Sequence, residues 1–122
     1  MTALKVLLVE DDAMLSMLFV DMIEAMGHSV CAVEQTQLGA ITAARRHAPD
    51  LMIVDAQLSG GSGIVAVTQI LRTGFIPHVF ISGNMVRLQA LGPDVVVLLK
   101  PFGEVGLAQA ISDARSPRPA VA

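Results

Sequence analysis

The sequence predicts an α/β fold, a doubly wound parallel sheet of five strands with helices on both faces. Short apolar runs rich in Val, Ile and Leu alternate with helical patterns along the whole chain, as they do in sheets built from strand–helix–strand units. These runs lack the apolar–polar alternation of half-exposed strands, so we expect strands that are buried on both faces. A chain of 122 residues is long enough for one domain with its own core.

The predicted strands, in chain order, cover residues 4–9, 30–33, 51–54, 79–81 and 95–99. The predicted helices cover residues 13–26, 36–48, 63–72 and 104–114. In the first helix, apolar residues recur at steps of three and four, which predicts one buried stripe formed by Leu15, Leu18, Met22 and Met26. Gly27 is a stop signal after this helix, and Pro49 ends the second one.

A further helix over residues 84–91 is expected to be short or irregular. The sequence at 91–94 is typical of a turn, and the fifth strand follows it. Little more than two helical turns fit between the fourth strand and this turn. An isolated helix of that length is marginal without packing partners.

Composition and charge exclude several classes of protein. The net charge is −3, and the chain has four Phe but no Trp or Tyr, so we expect no nucleic-acid partner. Asp21 and Glu24 interrupt the apolar run in the first helix, which therefore is not a membrane span. Cys31 is the one cysteine and no signal peptide is apparent, so we expect a cytoplasmic protein.

Polar residues follow four of the predicted strands. They are Glu10 and Asp11 after the first strand, Asp55 after the third, Ser82 after the fourth and Lys100 after the fifth. In a doubly wound sheet whose first strand is central, these ends meet at one edge. Crowded carboxylates stay ionised if they share a cation, and hard oxygen donors favour Mg²⁺. With a lysine and a hydroxyl beside them, such a site is complementary to a phosphoryl group, which a carboxylate could receive.

These residues and their surroundings resemble response-regulator receiver domains. The resemblance rests on L-L-V-E-D-D at 7–12, L-M-I-V-D-A-Q-L at 51–58, Gly63, Ser82 and K-P-F at 100–102. It implies a flavodoxin-like fold with strand order 2-1-3-4-5. The receiver domain is expected over residues 1–115, with a flexible tail at 116–122.

The resemblance also implies a role for each site residue. Asp55 would accept the phosphoryl group from a histidine kinase or a histidine phosphotransfer protein. The implied Mg²⁺ ligands are Asp11, Asp55, the backbone carbonyl of Gln57 and, through water, Glu10. Ser82 would donate a hydrogen bond to the phosphoryl group and Lys100 would pair with it, while the peptide bond before Pro101 would be cis.

Besides the short stretch between Ser82 and Lys100, the sequence departs from the family pattern at two places. Val97 occupies the position of an aromatic switch residue, so a switch of the usual kind cannot operate there. Ser59 stands where the family often has proline, and Gly60 and Gly61 follow it, which predicts a mobile loop. The run at 77–84 is similar to the P-x-x-F-A-T-G segment of a subset of stand-alone receivers with a reduced fourth helix.

Some residues have simpler interpretations. Asp12 begins a helix, so a capping role is favoured over metal binding. Most of the methionines are expected to fill the core, with Met17 partly exposed on the first helix.

The sequence therefore predicts a phosphoacceptor switch that signals through protein–protein contacts with a downstream protein, as a monomer or weak dimer. It would not be an enzyme beyond its own magnesium-dependent phosphorylation and dephosphorylation, and no output domain is expected after the last helix. The alternative is a receiver-like binding module that phosphorylation does not regulate. A magnesium-dependent phosphatase is disfavoured because Gln57 occupies the place of the second carboxylate that serves such enzymes as general acid.

Overall fold

The computed structural model describes residues 2–83, 91–92 and 94–116. Five parallel strands form the main sheet: β1 (Lys5–Val9), β2 (Ser29–Glu34), β3 (Leu51–Asp55), β6 (His78–Ser82) and β7 (Val97–Leu99). Their order is β2-β1-β3-β6-β7. Since β6 and β7 are the fourth and fifth strands of this sheet along the chain, the predicted order 2-1-3-4-5 is confirmed. A small antiparallel hairpin consists of β4 (Gln57–Leu58) and β5 (Gly61–Ser62).

The described ranges contain four α-helices: α1 (Ala13–Ala25), α2 (Gln37–His47), α3 (Gly63–Ile70) and α4 (Glu104–Arg115). A 3-10 turn at Leu71–Thr73 extends α3. The short helix predicted at 84–91 lies, except for its last residue, outside the described residues, as do positions 117–122 of the predicted tail. Among the described residues, no helix is both long and apolar enough to cross a membrane.

Alternate side chains of the central strands enter two separate cores. On one face, α2 and α3 cover strand residues that include Leu7, Val9, Met52, Val54 and Phe80. On the other face, α1 and α4 cover residues that include Val6, Leu8, Leu51, Ile53, Val79 and Ile81. This arrangement buries β1 and β3 from both sides, and it explains why their sequences are continuously apolar.

The two edge strands, β2 and β7, are exceptions to the predicted burial: in β7, Val97 is half-buried and Leu99 is exposed. The strand β2 shows the effect along its whole length. Its residues are half-buried or exposed, because it lies at the edge of the sheet and has a strand neighbour only in β1 within the described chain. A parallel edge strand needs less apolar surface than a central one, so continuous burial was the wrong prediction here.

The predicted stripe of α1 is confirmed in part: Leu15, Met22 and Met26 pack half-buried against the core, but Leu18 does not. The fully buried large side chains of the helix are Phe19 and Ile23, whereas Leu18 is 59% exposed. The ring of Phe19 stacks on that of Phe102, with ring centroids 5.0 Å apart. This tertiary contact orients the helix, and Leu18 faces away from the core. Met17 is exposed as predicted, but Met14 is exposed as well and does not fill the core.

Candidate functional site

The four strand ends that carry the predicted site residues meet at one edge of the sheet. Val9 pairs with Val54 in the neighbouring strand, Asp55 with Ile81, and Ser82 with Leu99. The backbone N–H of Lys100 then donates to the carbonyl of Ser82 at 3.0 Å. The register of the sheet therefore brings together residues that are up to 90 positions apart in the sequence, from 10 to 100.

Asp55 lies at the centre of this edge and is only 6% exposed. One carboxylate oxygen, Oδ1, accepts a hydrogen bond from the backbone N–H of Gln57 at 3.0 Å. The other, Oδ2, pairs with the ammonium group of Lys100 at 3.3 Å. The peptide bond between Lys100 and Pro101 is cis, as the resemblance implies. A buried carboxylate is thus held between an amide and a cation.

Glu10 is the most deeply buried acid of the site, at 1% exposure. Its Oε2 accepts a hydrogen bond from the backbone N–H of Asp12 at 3.1 Å, while Oε1 is buried without a hydrogen-bond partner among the described residues. Burial, and then the negative charge of Asp55, raise the pKa of Glu10 to about 7. A buried acceptor that lacks a donor is costly, so this oxygen favours a cation or a water molecule.

Asp11 is half-buried and differs from the other two acids in its partners. Its Oδ2 accepts two hydrogen bonds from Ser59, from the backbone N–H at 2.6 Å and from the hydroxyl at 2.5 Å. These donors hold the pKa of Asp11 below its ordinary value. Asp12, by contrast, caps α1 by accepting from the N–H of Leu15 at 3.0 Å. The capping role predicted for Asp12 is confirmed.

The three carboxylates Glu10, Asp11 and Asp55 fit a hard divalent cation. Each offers one oxygen, and these oxygens lie within 4.8 Å of one another. Oxygen donors of this kind suit Mg²⁺, which takes few protein ligands and keeps several waters. The orphaned Oε1 of Glu10 adds to the fit, since a cation or its bound water would satisfy that oxygen. The contribution of the Gln57 carbonyl, and the individual role of each residue in the site, remain predictions.

Three features of the site were not predicted from the sequence. Ser59 was noted as a replacement for proline, but its contact with Asp11 was not foreseen. The loop predicted to be mobile folds as the β4–β5 hairpin. Gly63 was recognised only as part of the motif. A Cβ atom on Gly63 would lie 1.9 Å from the backbone oxygen of Asp55, so its lack of a side chain is a requirement of packing.

The fold and this site agree with the comparison to protein families. The model of the response regulator receiver domain matches residues 6–112. The chain belongs to the response-regulator receiver family. In receiver domains Mg²⁺ binds at an acidic pocket, and Glu10, Asp11 and Asp55 form such a cluster here.

Several relatives of this receiver domain are regulators called PhyR. The chain is 33% identical over 116 residues to the phyllosphere-induced regulator PhyR of Methylorubrum extorquens, covering 92% of the chain and 43% of that protein. The PhyR receiver domain of Erythrobacter litoralis, solved by NMR, is 31% identical, with 97% of both chains covered and a TM-score of 0.86. The anti-anti-sigma factor PhyR of Bartonella quintana is 30% identical, with 93% of this chain and 47% of that chain covered and a TM-score of 0.81. The chain thus spans less than half the length of the full-length regulators it matches.

Proposed function

We propose that this receiver domain is a phosphoacceptor switch in which Asp55 receives a phosphoryl group. The observation that carries the proposal is the position of the Asp55 carboxylate, buried between Lys100 Nζ and the Gln57 N–H and beside Glu10 and Asp11. A carboxylate in that setting is a nucleophile whose product would be neutralised by neighbouring cations.

The proposed step is an in-line transfer from a phosphohistidine of a histidine kinase or a histidine phosphotransfer protein. An oxygen of Asp55 forms a bond to phosphorus as the phosphorus–nitrogen bond breaks, and the bonding electron pair leaves with the imidazole. Lys100, now paired with Asp55 at 3.3 Å, would pair with a phosphoryl oxygen. The hydroxyl of Ser82, at the end of the adjacent strand, would donate to another. Mg²⁺ bound by Glu10, Asp11 and Asp55, with the Gln57 carbonyl, would neutralise charge on the transferred group.

The signal would leave the domain through contacts with another protein. A relative, PhyR of Bartonella quintana, is described as an anti-anti-sigma factor, and this supports a downstream protein rather than nucleic acid as the partner. The net charge of −3 is consistent with that choice. We further propose that the protein acts in the cytoplasm, as a monomer or weak dimer, and that it catalyses only its own phosphorylation and dephosphorylation.

The proposal is tested by intact mass spectrometry after incubation with acetyl phosphate and Mg²⁺. We expect one added phosphoryl group in the wild type and none in Asp55→Asn or in EDTA, because both the nucleophile and the cation are required. Asp113→Asn, which changes an exposed acid on α4, is the matched control and should behave like the wild type.

Two outcomes would contradict the proposal. An adduct that persists in a folded Asp55→Asn variant would mean that another residue is the acceptor. No adduct in a folded wild type, together with no spectral change on adding Mg²⁺ and beryllofluoride, would instead favour the binding module that phosphorylation does not regulate.

A further inference from the structure

Ser59 lies at the tip of the β4–β5 hairpin, directly beside the Asp11 carboxylate. Both of its donors, the backbone N–H and the hydroxyl, reach the same oxygen, Asp11 Oδ2, at 2.6 Å and 2.5 Å. The hydroxyl distance is at the short end of the range for an O–H donor to an ionised acceptor, and the N–H distance is slightly below the range for amide donors. The contact joins two loops that are 48 residues apart in sequence, so it links the first strand end to the third.

Further hydrogen bonds hold both ends of the hairpin, and they fix the position of Ser59 at its tip. At its start, the N–H of Gln57 donates to Asp55 Oδ1. At its end, the N–H of Ser62 donates to the side-chain oxygen of Gln37 in α2 at 3.2 Å. The hydroxyl of Ser62 also caps α3 by accepting from the N–H of Val65 at 3.3 Å. Gly60, with φ of +73°, allows the tight turn between the two strands.

Asp11 needs such support more than the other two acids do. Glu10 and Asp55 are buried and packed in place, but Asp11 is half-exposed. Without a cation, and above pH 7 where Glu10 is ionised as well, the three carboxylates repel one another within 4.8 Å. The half-exposed side chain of Asp11 has the most freedom to rotate into water. The two donors of Ser59 offset this repulsion and restrict that rotation.

We propose that Ser59 is a positioning residue that holds the Asp11 carboxylate towards Glu10 and Asp55, so that the cation site is arranged before Mg²⁺ binds. The inference rests on the proposed function, because it concerns the Mg²⁺ site that phosphorylation requires. Proline, which the family often has at this position, carries neither an N–H nor a hydroxyl. The chain therefore supports its metal-binding acid with a contact that proline could not make.

The test is a titration of MgCl₂ alone, without a phosphodonor, into the wild type and three variants. Binding is followed by calorimetry or by amide NMR shifts, since the chain has no Trp to report it by fluorescence. Ser59→Pro removes both donors and should weaken Mg²⁺ binding about tenfold, as is usual for the loss of groups that orient a metal ligand. Ser59→Ala keeps the N–H and should weaken it about threefold. Ser59→Thr keeps both donors and should stay within about twofold of the wild type.

Unfolding in urea with EDTA separates a positioning role from a general loss of stability. We expect the control Ser112→Ala, an exposed serine on α4, to unfold like the wild type, and Ser59→Ala, which loses the hydroxyl contact with Asp11, to unfold at a slightly lower urea concentration while staying fully folded without urea. Mg²⁺ affinity that is unchanged in both Ser59→Pro and Ser59→Ala would overturn the inference while the phosphoacceptor role stands. An equal loss of Mg²⁺ affinity in Ser59→Ala and Ser59→Thr would also overturn the inference. A wild type that neither binds Mg²⁺ nor accepts a phosphoryl group would overturn the proposed function itself, and the inference with it.

Discussion

Replacing Gly63 with alanine is expected to destabilise the protein by about 3 kcal/mol or more. Gly63 is the first residue of α3, where alanine would otherwise be favoured over glycine by about 1 kcal/mol. The added Cβ, however, would lie 1.9 Å from the backbone oxygen and 2.9 Å from the carbonyl carbon of Asp55, and 2.7 Å from Val54 Cγ1. Backbone cannot move aside as the end of a long side chain can. The clash of the added Cβ therefore costs more than the higher helix propensity of alanine contributes.

The measurement is urea unfolding followed by far-UV circular dichroism, with Gly106→Ala as the matched control. Gly106 lies inside α4, and a Cβ there would make only an ordinary contact with the side chain of Leu98, at 3.4 Å. We expect the control to be as stable as the wild type or slightly more stable. Equal stability of Gly63→Ala and the wild type would mean that the close approach of α3 to Asp55 does not exist in solution.

The second large effect concerns Glu10 and the dependence of stability on pH. Its pKa in the folded protein is about 7, above the ordinary value of 4.5, chiefly because the carboxyl is buried. Between these two values the folded state holds a proton that the unfolded state has lost, so stability falls as pH rises from about 4.5 to 7. Because the pKa differs between the folded and unfolded states, this one group lowers the free energy of unfolding by about 3 kcal/mol once the pH is above 7.

Glu10→Gln keeps the shape and the acceptor for the Asp12 N–H but cannot ionise. In EDTA, we expect this variant to be more stable than the wild type at pH 8 and about equally stable at pH 4.5. Glu24→Gln, which alters an exposed acid on α1, should follow the wild type at both values. Saturating Mg²⁺ at pH 8 should then stabilise the wild type more than Glu10→Gln, because the ionised carboxylate favours the cation. A wild type and Glu10→Gln with parallel pH profiles would contradict the assignment of this effect to Glu10.

The sequence alone was sufficient to predict the five-stranded sheet and the residues that meet at its edge. Continuous apolar runs such as 51–54 and helical spacing such as that of Leu15, Met22 and Met26 are local features, and local features decide which element forms. The order of parallel strands then follows from family resemblance and from the rules of strand connection. Because Glu10, Asp55 and Lys100 each stand directly after a strand, the topology was enough to predict that they would lie together.

Other features of the protein depend on how those elements pack, and only the tertiary structure decided them. The periodicity of α1 predicted one stripe that included Leu18, but the helix packs with Phe19 stacked on Phe102 and with Leu18 in solvent. The burial of β2 depended on its position at the sheet edge. The contact of Ser59 with Asp11 and the approach of Gly63 to Asp55 join positions that no short-range pattern relates. Whether such contacts form depends on differences of a few tenths of an ångström in how closely the elements pack. A linear sequence pattern carries no information on that scale.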